Sequence, residues 1–327
     1  MLRRLLVPAV AALCLAPAAL ASGPTPFAQQ GGPGVLSSDG SLRYLALGAG
    51  ANTVLAQVQT KDGELRNETS LLGSYGIPML TYGSLGDGLS RDGRTLVVGS
   101  TDFASPSRFL VLDTRTLRTR NWIVLKGSFA FDALSPDASR LYLIQHTEAR
   151  YGDFSHYVVR AYDLRTNRLL PGRIADRTQK SWVMDGYPLT RTSSADGRCV
   201  YTLYQSADGG YPFVHALDTV KGVAHCIGMP LSNQNGVSNL VLSLRSSGST
   251  LAVHWKSGRP WLDVNTATWR ITYVRAGFPW RWPVIGVGAA LVLAAAAALL
   301  LQRRRRAEEV VQEPVDARRL AQREVVV

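Results

Sequence analysis

A turn of the form Ser-x-Asp-Gly returns along this chain about every fifty residues, and no other feature restricts the available folds as much. It reads Ser38-Asp39-Gly40, Ser90-Arg91-Asp92-Gly93-Arg94, Ser135-Pro136-Asp137, Ser194-Ala195-Asp196-Gly197-Arg198 and, in a degraded copy, Ser246-Ser247-Gly248. The steps between the aspartate positions are 53, 45, 59 and 51 residues, the length of one propeller blade. Chemistry explains the recurrence: Asp and Ser oxygens accept from main-chain amides one or two residues on, and Gly takes the positive φ that reverses a strand. An apolar run follows each copy, as in Leu42 to Leu47, Leu96 to Val98, Leu141 to Ile144, Val200 to Leu203 and Leu251 to Val253. The pattern predicts strand, turn, strand.

About twenty residues after each turn comes a second signal, an apolar strand ending on a turn residue. It is found in Phe109 to Thr116, Val159 to Thr166, Val214 to Thr219 and Trp261 to Thr266, with a faint first copy at Leu55 to Gln59. Two turns per period give four strands per blade. The expected fold is therefore all-β: a propeller of five blades over residues 35–277, or six if Ser22 to Val35 or a missed repeat closes the ring.

The two signals together resemble the YVTN-type and WD40-like propeller repeats of exported bacterial proteins, over about Val35 to Ala276. The stretches Gly186 to Arg191, Tyr201 to Tyr204 and Pro212 to Asp218 are also similar to single-pass proteins of high-GC Gram-positive bacteria. The resemblance implies fold and export, and no particular chemistry.

Targeting signals frame the repeats. Arg3 and Arg4 precede an apolar stretch from Leu5 to Leu20, and Ala19-Leu20-Ala21 supplies small residues for cleavage after Ala21. Residues 1–21 therefore read as a signal peptide and 22–34 as a linker. Near the other end, Val284 to Leu301 are 18 uncharged residues. As a helix rising ~1.5 Å per residue they cover about 27 Å, close to the ~30 Å hydrocarbon core. Trp280, Arg281 and Trp282, in a juxtamembrane segment 278–283, and Arg303 to Arg306 flank this span. The positive charge places the tail, 302–327, in the cytoplasm and the propeller outside the plasma membrane. Gly286, Ala290, Ala294 and Ala298 form a ladder of small residues that would support weak homodimerisation within the bilayer.

Of the net charge of +12, the signal peptide and the tail hold +2 each, leaving a basic exported domain. Arginine outnumbers lysine 31 to 5 and is scattered, which argues against nucleic acid as a partner. An unidentified protein, peptide or anionic wall polymer fits better. Cys14 is lost with the signal peptide, leaving Cys199 and Cys226 in an oxidising compartment. The sequence leaves two readings open: a disulfide, or two separate thiols on the second and fourth strands of one blade.

Catalytic signals are sparse. No GxSxG elbow, P-loop or CxxC is present, and the five histidines form no HxH or HExxH pair, so no metal or cofactor is expected. Most aspartates belong to the repeated turns. Asp132 and Asp185 stand outside them, before the turn motif and on or entering the innermost strands, and are the candidate channel acids for a metal-assisted hydrolase or lyase. Aromatic residues suggest binding instead. Tyr151, Phe154, Tyr157, Tyr211 and Phe213 fall in the long connections Glu148 to His156 and Gln205 to Phe213 of adjacent blades, where propellers place recognition surfaces. The sequence favours a binding or scaffolding module at the cell surface over an enzyme.

Overall fold

The computed structural model describes residues 26–81, 86–102, 105–149, 153–179, 183–207, 209–231, 236–274 and 293–304. The expected signal peptide, juxtamembrane segment, residues 284–292 of the span and most of the tail lie outside them. The chain divides into two units, Met1–Val274 and Arg275–Val327.

The first unit is all-β. Strand β1 (Phe27–Gln29) is followed by β2 (Val35–Leu36), β3 (Leu42–Ala49), β4 (Asn52–Gln59) and β5 (Leu65–Leu72), which form sheet one. Sheet two contains β6 (Tyr75–Met79), β7 (Thr95–Ser100), β8 (Ser107–Asp113) and β9 (Thr119–Leu125), with β1 added on the far side of β6. Sheet three contains β10 (Ser128–Leu134), β11 (Arg140–His146), β12 (His156–Asp163) and β13 (Arg168–Leu169), with β14 (Met184–Asp185) paired to β12. β15 (Tyr187–Ser193), β16 (Cys199–Gln205), β17 (Phe213–Asp218) and β18 (Val223–Gly228) form sheet four, and β19 (Leu240–Leu244), β20 (Thr250–Trp255), β21 (Pro260–Asn265) and β22 (Ile271–Tyr273) form sheet five. The described residues thus hold five blade sheets, as the turn spacing predicts. The segment read as a linker makes no sixth blade: three of its residues zip antiparallel onto β6, Phe27 opposite Met79.

The two turn signals lie side by side at one end of each sheet. In the first, the serine hydroxyl donates to the Asp carboxylate and accepts from the main-chain amide five residues on, as Ser90 does with Asp92 and Thr95 at 2.6 and 2.9 Å. The same bonds occur around Ser37, Ser135 and Ser194. In the fifth copy Arg245 takes the serine position, its carbonyl accepting from Gly248 N at 2.8 Å. In the second turn, Asp113, Asp163, Asp218 and Asn265 each accept from two following amides. Thr114, Thr219 and Thr266 then bond back to the first turn, through Gly93 O, Gly197 O and Gly248 O.

Neighbouring sheets are held face to face by apolar cores. One cluster joins sheets one and two through Tyr44, Leu55, Leu96 and Leu110. Another runs through sheets two, three and four, including Val97, Phe131, Leu143 and Tyr204. A third joins sheets four and five through Tyr201, Val214, Leu251 and Leu262. Fully burying a Leu or Val is worth ~1.5–3 kcal/mol, so these faces hold the series together. Polar contacts repeat at the turn end: Asn67 Nδ2 donates to Arg115 O, Asn121 Nδ2 to Asn167 Oδ1, and Tyr142 Oη to Thr219 O.

In the second unit, residues 293–304 are helical. Among the described residues no helix is long and apolar enough to cross a membrane.

Candidate functional site

Acidic and basic groups from three sheets converge near the first strands of sheets three and four. Asp132 sits at a bulge in β10, where the register shifts between Phe131 and Ala133, and is 2 % exposed. A bulge turns a side chain out of the regular alternation. From β15, Arg191 donates through Nη1 to Asp132 Oδ1 at 3.2 Å and through Nη2 to the Asp132 carbonyl at 2.6 Å. Its Nε lies 4.0 Å from Asp87 Oδ2. Asp87 is placed by its own amide, which donates to Pro78 O at 2.8 Å, and by Gly88. Gly88 has φ +97°, and a Cβ there would lie 2.4 Å from Val97 O, so only glycine fits.

Two carboxylates share one guanidinium in this triad. Burial pushes the Asp87 carboxyl above its usual range, Arg191 opposes that rise and Asp132 adds to it. Asp132 Oδ2 is buried with no hydrogen-bond partner among the described residues. A cavity of about 130 Å³ opens beside Asp87 and Arg191, lined also by Arg91, Phe131 and Pro136. The triad can hold a cationic group or ordered water; as it stands, it ties three blades together.

Asp185 does not join Asp132. It lies on β14, opposite His156 of β12, towards the outer part of sheet three. The expectation that it enters an innermost strand fails because a two-residue strand turns back to pair before β15 begins. Among the described residues no group of three or more His, Cys, Asp or Glu side chains could hold a metal ion.

The aromatic candidates separate into base and surface, with Tyr151 outside the described residues. Tyr157 is 2 % exposed and belongs to the core, because β12 starts at His156 and turns the next side chain inward. Its ring stacks on Tyr204 at 5.5 Å, and Tyr204 stacks on Phe213 at 5.3 Å. His146 meets Tyr157 edge-on at 6.4 Å and Phe154 at 5.3 Å. Phe154, His146, Tyr157, Tyr204 and Phe213 therefore form one continuous chain under the two long loops of sheets three and four. In the second of these loops, Tyr211 is 68 % exposed.

Beside this ladder, His215 is buried, with Nδ1 3.7 Å from Cys226 Sγ and Nε2 lacking a partner among the described residues. Burial lowers the His215 pKa and pushes the Cys226 thiol up to about 12. Cys199 and Cys226 are both free. Cys199 lies opposite Asp218 and Cys226 opposite His215, so a whole strand and a three-residue offset along it part them. At ~4.8 Å per strand step and ~3.3 Å per residue, that exceeds disulfide reach. Cys226 N instead donates to Asp176 Oδ2 at 2.8 Å, which also pairs with His225 Nδ1 at 2.9 Å. A cleft of about 520 Å³ lies along Cys199, Tyr201, Lys221 and His225, where Trp269 stacks on His225 at 4.9 Å.

No family model and no curated protein matches the chain. Among solved structures it is similar to the β-propeller domain of Swd1 from Myceliophteria thermophila, with TM-score 0.43 and 10 % identity over 77 % of this chain and 68 % of that one. Hydrazine synthase of Kuenenia stuttgartiensis matches with TM-score 0.40 and 16 % identity, over 71 % of this chain and 75 % of that one. TolB of Acinetobacter baumannii matches with TM-score 0.40 and 14 % identity, over 72 % and 54 %. At these values none supplies a function, and the blade assignment rests on the sheets themselves.

Sequence reasoning missed Arg191, Asp87 and Tyr204. Arg191 is one of 31 arginines, and nothing local marks it. Tyr204 had a readable signal, since it closes the largely apolar strand Val200 to Tyr204 next to an aromatic loop.

Proposed function

We propose that this chain is an extracytoplasmic binding module, exported by a cleaved leader, held by one C-terminal membrane helix, and presenting the loops of sheets three and four to a protein, peptide or wall polymer. The observation that carries the reading is the shared aromatic base of those loops. Ring contacts, edge-on around His146 and stacked from Tyr157 through Tyr204 to Phe213, tie Phe154 and Phe213 to two adjacent sheets, so both loops stand on one packed base. Tyr211 adds an exposed ring suited to stacking on a sugar or a peptide side chain.

The leader is supported by Arg3, Arg4 and the apolar run to Leu20, and the anchor by uncharged Val284 to Leu301 before four arginines. No specific observation favours the competing reading of a metal-assisted hydrolase or lyase, and its leading acid, Asp132, is engaged by Arg191.

Cells producing the full chain with a C-terminal tag test both parts. Protease added outside should remove the sheets and leave a short tagged fragment in the membrane fraction; an intact chain, or one recovered in the soluble fraction, would refute the topology. A photo-crosslinker at Tyr211 should capture a partner that is lost when the neighbouring loop, residues 148–153, is shortened, and equal capture by both forms would refute the site.

A further inference from the structure

Among the described residues, sheets two, three and four bury both faces of their central strands, whereas sheets one and five each leave one face open. On β7 and β16 successive residues are buried without alternation. On β3 and β20 they alternate instead, with Tyr44 and Ala46 buried beside half-buried Arg43 and Leu45, and Leu251 and Val253 buried beside half-buried Ala252 and His254. No core cluster joins sheet five to sheet one among the described residues. The two open faces are of opposite kinds. Sheet one exposes the side that in every other sheet packs on its predecessor, and sheet five the side that packs on its successor. They are the two halves of an interface that the chain builds four times internally.

Their composition fits that pairing. Counting from the turns, the second-strand residue facing the preceding sheet is Arg43, Leu96, Leu141, Val200 and Leu251 in order, and the third-strand residue facing the following sheet is Gln57, Val111, Ala161, Ala216 and Asp263. The one charged member of each series lies on an open face, and the two are opposite in sign. Around Arg43 the open face of sheet one is apolar, with half-buried Leu45, Val54 and Val58, and with Leu47 41 % and Leu72 76 % exposed. Sheet five offers Val241, Ala252 and His254 around Asp263, which Arg245 already holds at 2.8 Å.

We propose that the open face of sheet one receives the open face of sheet five from a second copy of this chain, continuing the blade series head to tail with Arg43 of one copy opposite Asp263 of the other. Apolar area is removed from water as in the internal interfaces, and the oppositely charged pair fixes which face meets which. A heterologous contact of this kind propagates, so copies gather into rings or rows and not only pairs. This inference is independent of the ligand-binding reading.

Two differently tagged full-length chains, co-expressed in the same membrane, test it. Leu47→Cys in one and Ser243→Cys in the other should form an intermolecular disulfide at least fivefold above a Lys61→Cys and Ser243→Cys control, with the unmodified chain as blank. Arg43→Asp in the first copy should cut that yield several-fold, and Asp263→Arg in the second should restore it, which no folding defect would do. Three outcomes overturn the proposal: crosslinking at the control level, Leu47→Cys pairing best with itself across two copies, or both cysteines placed in one copy closing mainly within that chain.

Discussion

Arg191 grips Asp132 twice, through the carboxylate at 3.2 Å and through the main-chain carbonyl at 2.6 Å, so one guanidinium fixes both the side chain and the bulged backbone that presents it. Removing one member of a buried pair strands the other, at a cost of ~3–5 kcal/mol. Arg191→Met should therefore destabilise the first unit by about that much in chemical denaturation. Arg191→Lys should recover only part of it, because an ammonium cannot span the two acceptors. Equal stability of all three forms would show that the grip holds nothing.

Ala138 offers a gain in stability. It occupies, at φ +51°, the turn position that Gly40, Gly93, Gly197 and Gly248 hold at φ near +70°. A Cβ in that conformation costs ~1 kcal/mol. Ala138→Gly should stabilise by ~0.5–1 kcal/mol, less the added freedom of glycine in the unfolded chain, and Gly93→Ala should destabilise by a similar amount. A lower denaturation midpoint for Ala138→Gly would contradict the turn assignment.

Gly76 makes room for β1. A Cβ there would lie 2.5 Å from Gln29 N and 2.7 Å from Ala28 C, closer than any real contact. Gly76→Ala should expel β1 and lower stability by ~1–3 kcal/mol, with faster proteolysis next to Phe27. Unchanged cleavage would mean that β1 is not seated on β6.

Acid should weaken the fold in two windows. Burial lowers the His146 pKa from 6.5 to about 4, so the unfolded chain binds a proton that the folded chain refuses. Stability is then lost as pH falls from about 6.5 to about 4, on the order of 3 kcal/mol from this residue. His146→Phe should flatten that limb. Lower down, hydrogen bonds from Ser37 and Ser135 hold Asp39 and Asp137 at about 2, below the usual 3.8. These are depressed carboxylates, and their contribution is present above pH 4 and lost as pH falls towards 2. The stability gap between the native chain and Asp137→Asn should accordingly close over that range. A gap constant with pH would remove the carboxylate from the account.

What could be read without coordinates follows from how local each interaction is. The Ser-Asp-Gly turns are closed by bonds two to five residues apart, so Asp92 or Asp196 declares its role in its own neighbourhood. β1 does not, since three residues gain a strand only from β6, about fifty positions away. The triad was half legible: Asp132 stands out because the turn does not need it, while Asp87 and Arg191 are brought to it from 45 and 59 residues off. Tyr157 was misread by one residue of strand boundary, the difference between a loop surface and a core. The cysteines were placed on the right strands, but the three-residue offset that separates them is a matter of register.

The strand at Phe27–Gln29 also governs where a reporter can be attached. It lies against β6, five residues beyond the expected cleavage point after Ala21. A fluorophore, affinity tag or lipid attached at Pro26 would sit at the edge of sheet two, beside the cavity lined by Phe27, Phe129 and His146, and would compete with folding there. Reporters for this protein belong in the exposed turns, such as Lys61-Asp62-Gly63, where the backbone already faces water.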